Sequence, residues 1–356
     1  MTFPSDLIPA ARLRATIAGI LTALEVAPTD AAIVADLLVE ADLSGVDSHG
    51  AHLVSMYVSR LRNGQIDPHA GITVTRDDGS TIWLDAGLGL GQPAGLRAMQ
   101  LAVERSADHG VAAVAVREAT HLGALGCYTR RAAEVGHICF CFQNGPTIVP
   151  PYGGITPLFS TNPLSYAVPT MSEPTIVYDI ATTAVAGNKV LLAKKRGDET
   201  IPAGWANDEH GRPTTDTAAA SVWHLQWFGG HKGFGLGLLV ELLAGVLAGS
   251  SHGRVEDTHS PVHGRERVAK GFTFLALDPD RFIGRDEFRR RTDELIRDIR
   301  SSDRAEGVDR IWLPGEPEYH RRVEREREGI PLSEALVDEL ESFATELGAP
   351  SLRDDA

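Results

Sequence analysis

Cysteine is scarce: the 356-residue sequence holds three, an odd number that cannot close entirely into pairs, and a disulfide scaffold is excluded. Cys139 and Cys141 stand two apart in the strand-like run HICFCF, so both point to one face, and a reducing compartment, the cytoplasm, is expected. Long apolar runs are also missing. The most hydrophobic stretch, Gly233 to Gly249, carries Glu241 and falls short of the ~20 residues a bilayer requires. The opening segment scatters Asp6, Arg12, Arg14 and Glu25 among its apolar residues, which matches an amphipathic helix and not a signal peptide. Basic side chains are outnumbered 34 to 48, giving a formal charge of −14. Attraction of the whole protein to nucleic acid or to anionic lipid is therefore not expected. No internal repeat and no low-complexity linker is present.

What is present is a chain of mixed texture, 43% apolar and long enough for a large core, which excludes disorder. Near the N-terminus Leu13, Ile17, Ile20, Leu21 and Leu24 follow the helical period. A second helix is expected from a Thr29-Asp30 cap, carrying Ile33, Val34, Leu37 and Leu38. A third is expected from a Ser48 cap, with Leu53, Tyr57 and Leu61 on one face and Gly64 ending it. From about residue 72 strand-like runs (Thr81–Leu84, Val111–Val116, Ile138–Phe142, Thr175–Ile180) alternate with helical stretches (Pro93–His109, Ala124–Val135), an α/β pattern. A Pro/Gly-rich stretch of about 27 residues from Asn144 interrupts it, long enough to suggest function over simple connection. Further on come a helix around Ala186–Lys195, a long helix Lys232–Gly249 apolar on most sides and so expected between layers, a strand Gly271–Leu277 and a helix Arg285–Arg300. The tail from Glu316 reads as helical, its run HRRVEREREG as a solvated face with i,i+4 ion pairs.

Four motifs carry candidate chemistry. The loop GLGLGQPAG at 87–95 sits between strand and helix, where a dinucleotide fingerprint belongs, but Gln92 stands where the third glycine is needed and no acidic strand end follows about 20 residues on. The loop therefore reads as structural, and no P-loop is present. In DSHG at 47–50 a hydroxyl and an imidazole adjoin at an expected helix start. The imidazole can give a proton to a carbonyl being reduced or take one from an alcohol, and the plainer reading is a cap with a polar histidine. His52 follows three residues after His49, but HGAH lacks the His-x-x-x-His spacing and Glu of a hydrolytic zinc helix. In ATHLGALGCY at 119–128, His121 ends a strand before small residues open a helix; in GGHKGFGL at 229–236, Lys232 starts the apolar helix and suits a phosphate or carboxylate. Each of these also has a bland reading, as an exposed turn histidine or a solvent lysine.

Taken in order, DSHG, THLGALGCY, PYGG with FSTNPLSYAVP, VYDIATT, IPAGWANDEHGRPTTD and GGHKGFGLGLLVELLAGVLAG resemble the type-2 malate/L-lactate dehydrogenase family, from about residue 5 to 325. The resemblance implies NAD or NADP bound without a Rossmann domain, in keeping with the failed fingerprint. It implies a non-Rossmann α/β fold: a large mixed β-sheet cofactor domain (76–229 with 266–315) and a helical domain built from both chain ends (1–75 with 230–265 and 316–356), assembled as a homodimer. It implies catalytic roles for His49, Ser48 and His121. Cofactor contacts would come from His121, Asn144, Asp179, Ile180, Ala181, Lys232, Ser302, Asp303 and Arg304, and substrate contacts from Tyr57, Thr161 and Asn162.

The sequence also departs from the family pattern. Leu53 stands where many members carry a carboxylate-gripping arginine. Gln226-Trp227-Phe228-Gly229-Gly230 replaces Leu-Pro-x-Gly-Gly, and Gly187-Asn188-Lys189 replaces the usual x-Gly-Lys. The expected reaction moves a hydride between NAD(P)H and C2 of a 2-oxo or 2-hydroxy acid, malate- or lactate-like. The alternative is reduction of the C=N bond of a cyclic imino acid of the piperideine-2-carboxylate type. More distant readings are a metal hydrolase using His49, His52 and His121, and a binder without turnover.

Overall fold

The computed structural model describes residues 5–254 and 269–353. Strand β1 (Ser5–Ile8) leads into α1 (Ala10–Ala23) and α2 (Pro28–Leu43), followed by two 3₁₀ turns (Asp47–His49 and Ala51–Leu53) and α3 (Val54–Arg62). The α/β part holds β2 (Thr73–Asp77), β3 (Thr81–Asp85), α4 (Gly91–His109), β4 (Val111–Ala119), α5 (Gly126–Glu134), β5 (Ile138–Gln143), β6 (Leu164–Val168), β7 (Ile176–Ile180), α6 (Gly187–Arg196) and a short hairpin, β8 (Ala206–Asn207) with β9 (Pro213–Thr214). Helix α7 (His231–Val240) continues as a π-helical turn (Glu241–Val246). After it come β10 (Lys270–Leu277), α8 (Arg285–Ser301), α9 (Glu316–Glu328), β11 (Ile330–Ser333) and α10 (Glu334–Leu347).

Five local expectations change. Helix α2 begins at Pro28 after Ala27, with no side-chain cap, because proline supplies the first-turn dihedral and lacks the N–H that would need one. Ser48 does not cap a helix: it sits inside a 3₁₀ turn, and α-helical geometry resumes only at Val54, with Gly64 turning the chain out of α3 at φ +67°. The Pro/Gly-rich stretch contains β6, and the helical tail is broken by β11. The long apolar helix is not enclosed between layers. One side packs on β10, β5 and β4, while Leu238, Leu239, Leu242, Val246 and Leu247 face outward.

Seven strands form one mixed sheet in the order β2-β3-β4-β10-β5-β6-β7. Only β3 and β4 run parallel, joined by the crossover helix α4. Strand β10 sits at the centre with Phe272, Phe274 and Ala276 fully enclosed, and Cys139 and Cys141 of β5 enter the same core as free, buried thiols. Sheet register fixes where the functional loops emerge. Ala119 at the end of β4 opposes Lys270 at the start of β10; Gln143 at the end of β5 opposes Phe272; Leu164 at the start of β6 opposes both Phe142 and Ile180 at the end of β7. The segments carrying His121, Asn144, Thr161–Asn162 and Ala181 therefore leave the sheet along one edge.

A second core lies beside the sheet. Leu13, Ile17, Ile20 and Leu21 of α1 pack with Val34 and Leu38 of α2, Tyr57 of α3, Ile330 and Leu332 of β11, and Val337 and Leu340 of α10. Each such buried aliphatic side chain contributes about 1.5–3 kcal/mol relative to exposure. Strands β1 and β11 pair antiparallel, Leu7 opposite Pro331, so segments distant in sequence close one cluster. Helix α2 ties that cluster to the sheet: buried Glu40 accepts from Arg130 and Arg131 of α5, with Arg131 Nη2 2.7 Å from Glu40 Oε2. Arg322 and Glu326 form the expected i,i+4 pair on α9 at 2.8 Å.

Candidate active site

Where the helical cluster meets the sheet edge, two imidazoles face each other. His49 stands on the first 3₁₀ turn and His121 just beyond β4, their ring centroids 5.6 Å apart and their planes inclined by 27°. Ser48 Oγ lies 2.9 Å from His49 Nδ1. The His121 Nδ1 accepts the Gly123 N–H at 3.2 Å and the Tyr57 hydroxyl at 3.4 Å. With Nδ1 occupied as acceptor, the neutral His121 ring carries its proton on Nε2. Burial first, and then the nearby His49, Arg60 and Lys270 charges, push its pKa down to about 3, so this imidazole is a neutral hydrogen-bond donor at physiological pH. Burial lowers His49 as well.

Tyr57 is wholly buried and Gln92 Nε2 donates to its hydroxyl at 2.6 Å; burial raises the phenol's pKa and keeps it protonated. The residue that breaks the dinucleotide fingerprint thus supports the tyrosine bound to His121. The glycine loop around it serves packing, since a Cβ on Gly91 would overlap the Thr120 carbonyl oxygen, and the Gly91 N–H donates to Thr120 Oγ1 at 2.9 Å.

The turn bearing His49 is held from behind. Asp42 Oδ2 accepts the Ala51 N–H at 2.7 Å, and a Cβ on Gly50 would run into the Asp42 carboxylate. Burial, opposed by the Ala51 N–H and reinforced by Asp47, raises Asp42 to about 7. Arg325 of α9 pairs with Asp47 Oδ1 at 2.6 Å, so a residue of the charged tail braces the turn bearing His49.

A second polar centre adjoins the first through consecutive residues. Gln143 receives the Leu122 N–H and donates to the Thr120 carbonyl, and its neighbour Asn144 donates to the Ser251 carbonyl at 2.6 Å while accepting the Gly271 N–H at 3.0 Å. Asn162, buried with φ +38°, donates to Glu241 Oε2 at 2.7 Å and to the Gly237 carbonyl at 2.8 Å. Glu241, on the π-helical turn, also accepts from Asn144 and from the Gly253 N–H. Burial raises its pKa despite these donors.

Ser48, His49, Tyr57 and His121 thus form one cluster, and Asn144 and Asn162 a neighbouring one; the Thr161 carbonyl accepts the Thr182 N–H beside it at 2.9 Å. Asp179, on β7, accepts the Gly126 N–H at the start of α5 through Oδ2 at 2.7 Å. Ile180 ends β7 and Ala181 follows it. Lys232 is exposed in the first turn of α7, next to Gly229, around which there is open space. Ser302, Asp303 and Arg304 are exposed after α8. Sequence reasoning missed Asp42, Gln92 and Gln143 as supports of this cluster. Glu241 carried a signal, as the single acid in an apolar run. Among the described residues no three His, Cys, Asp or Glu side chains converge as metal ligands, and His52 is exposed.

The malate/L-lactate dehydrogenase family matches this chain over residues 8–341. An L-sulfolactate dehydrogenase from Methanocaldococcus jannaschii is 36% identical over 319 residues, covering 90% of this chain and 91% of that protein. A solved sulfolactate dehydrogenase structure from the same organism superposes with a TM-score of 0.90 at 34% identity, covering 98% of this chain and 99% of the other. The structure of a delta1-piperideine-2-carboxylate reductase from Pseudomonas syringae gives 0.84 at 30% identity, covering 96% and 100%. The chain belongs to the malate/L-lactate dehydrogenase family and is an NAD(P)-dependent oxidoreductase.

Proposed function

We propose that this enzyme reduces the C2 carbonyl of a 2-oxo acid, or oxidises the corresponding 2-hydroxy acid, with His49 and His121 as its proton-handling pair. The observation that carries the reading is the stacked imidazole pair, whose members differ in hydrogen bonding. His121, with Nδ1 held by Gly123 and Tyr57, offers an Nε2–H to the substrate oxygen. His49 exchanges the proton, Ser48 orienting its ring. Tyr57 fixes His121, and the same reading assigns substrate contacts to Tyr57, Thr161 and Asn162.

The nicotinamide, when bound, supplies or receives the hydride at C2. The residues present fit such a cofactor: Lys232 is exposed in a helix first turn beside open space at Gly229, which suits a pyrophosphate, and buried Gln92 Oε1 has no hydrogen-bond partner next to Tyr57. Asn144, the Asp179-Ile180-Ala181 strand end, Lys232 and the Ser302-Asp303-Arg304 segment would hold it, together with His121. The same reading assigns the cofactor to the α/β part of the chain and the His49 turn to the helical part drawn from both chain ends.

The outward leucines of α7 and its π-helical turn, Leu247 being 61% exposed, support a homodimer through that face. Three free thiols agree with a cytoplasmic setting. Among the described residues no helix is long and apolar enough to cross a membrane. A second reading, reduction of a cyclic imino acid, is favoured by the fold match to the piperideine-2-carboxylate reductase. Oxidation of NADH and NADPH followed in parallel with pyruvate, oxaloacetate and piperideine-2-carboxylate separates the two. Turnover with a 2-oxo acid supports the first, turnover with the imine alone supports the second, and turnover with none overturns both.

A further inference from the structure

A 2-oxo acid bound with its carbonyl at His49 and His121 brings its carboxylate one bond away into a half-buried site. An anion there needs a fixed cation to offset its lost hydration. Leu53, Tyr57 and Arg60 recur at steps of four and three along continuous helical backbone, so they share one face of α3 and the turn before it. Leu53 offers no charge. Long side chains on a helix lean toward its N-terminus, which carries the Arg60 guanidinium toward Tyr57 and so toward His121, 3.4 Å from the Tyr57 hydroxyl. Across the site Lys270, 6% exposed, opposes Ala119, two residues before His121. Both cations act on the titration of His121, which agrees with their facing it. Arg60 and Lys270 have interactions of their own, and what matters is where their charges stand.

We propose that Arg60 binds the substrate carboxylate, with Lys270 as the second positive charge of the subsite, so that the anion is gripped from α3 two turns beyond Leu53. The proposal rests on the reading of the site as acting on a carbon next to a carboxylate. A 2-oxo acid and a cyclic imino 2-carboxylate present the same group there. A guanidinium suits it because its planar fork donates two parallel hydrogen bonds and holds the carboxylate plane at a set angle to the reacting carbon.

The test compares wild type, Arg60→Gln, Arg60→Lys and Arg60→Gln combined with Leu53→Arg. Two readouts are taken: KM and kcat for the best of the three acids, and calorimetric affinity for oxalate with cofactor bound. Arg60→Gln is expected to raise KM at least 30-fold and weaken oxalate comparably, with the KM for the cofactor within twofold. Arg60→Lys should fall between, and Leu53→Arg should recover part of the loss by supplying the charge from the same helical face. KM and oxalate affinity both within threefold of wild type in Arg60→Gln would overturn the proposal while leaving the reaction standing. If wild type turns over none of the acids, the proposed function fails and the oxalate titration alone decides for or against Arg60. Should Arg60→Gln not fold, Arg60→Lys decides by the same two measurements, an unchanged KM and oxalate affinity counting against.

Discussion

His49 and His121 stack at 5.6 Å, close enough that a positive charge on one ring disfavours a charge on the other. One imidazolium at a time is the result. Because His121 is held far below the ordinary histidine range, the proposed reading assigns the moving proton to His49.

His49→Ala is accordingly expected to lower kcat by about 10²–10⁴-fold, with cofactor affinity nearly kept. Near-normal turnover in that variant would remove His49 from the mechanism. The pH profile has a definite sign. With His49 as the proposed proton donor, kcat/KM for reduction should fall as pH rises through a pKa below the ordinary 6.5, and kcat/KM for oxidation should rise through the same value. Replacing His49 should also raise the His121 pKa, read by NMR of its ring, because a neighbouring positive charge is withdrawn.

Tyr57→Phe removes the acceptor of the Gln92 amide and the donor to His121 Nδ1. A buried polar group left unpaired costs about 1–3 kcal/mol, so a lower denaturation midpoint is expected together with reduced kcat. Gln92→Leu in the same background should restore stability and leave kcat low. Recovery of both would show that Tyr57 is structural only.

Asp42 predicts how stability follows pH. Its folded pKa lies near 7 against 3.8 for the free group, so between these values the folded chain holds a proton that the unfolded chain has lost. Its contribution is full below the unfolded value and is lost as pH rises toward and through 7. Denaturant titrations at pH 5 and pH 8 should show a larger drop for wild type than for Asp42→Asn. Equal drops would mean that Asp42 does not titrate in this range. Gly50→Ala should displace the same turn and abolish activity, because its methyl group and the carboxylate compete for one volume.

Glu241→Gln puts an amide NH2 in place of one carboxylate oxygen, and both oxygens face donors: Oε2 that of Asn162, Oε1 those of Asn144 and Gly253. One donor then faces another. A loss of about 1–3 kcal/mol is expected, seen as a lower denaturation midpoint, and an unchanged midpoint would show that the centre repacks freely.

Much of this site was legible because its motifs are local. A hydroxyl beside an imidazole in DSHG, and a histidine at a strand end before small residues, can be read from a few consecutive letters. The supporting groups were not legible. Gln92 and Tyr57 are 35 positions apart, and Asn162 and Glu241 are 79 apart. Sheet register and helix docking bring them together, and a single sequence encodes neither in a short pattern. The Ser48 helix cap failed for a related reason: Asp42 takes up the Ala51 N–H from outside the turn, and the chain stays 3₁₀ until Val54. The outward leucines of α7 and its π-helical turn were not legible because apolarity all round a helix does not say which of its faces pack within the chain.

Because β1 pairs with β11, and Tyr57 shares a core with Leu340 and Leu352, the core beside the turn that carries His49 is completed only after residues 330–352 have been synthesised. During translation the sheet strands can assemble early, yet a nascent chain stopped before α10 holds both histidines without the framework that aligns them. Such pairing between distant segments makes for slow folding, and it ties the packing beside the His49 turn to residues 330–352.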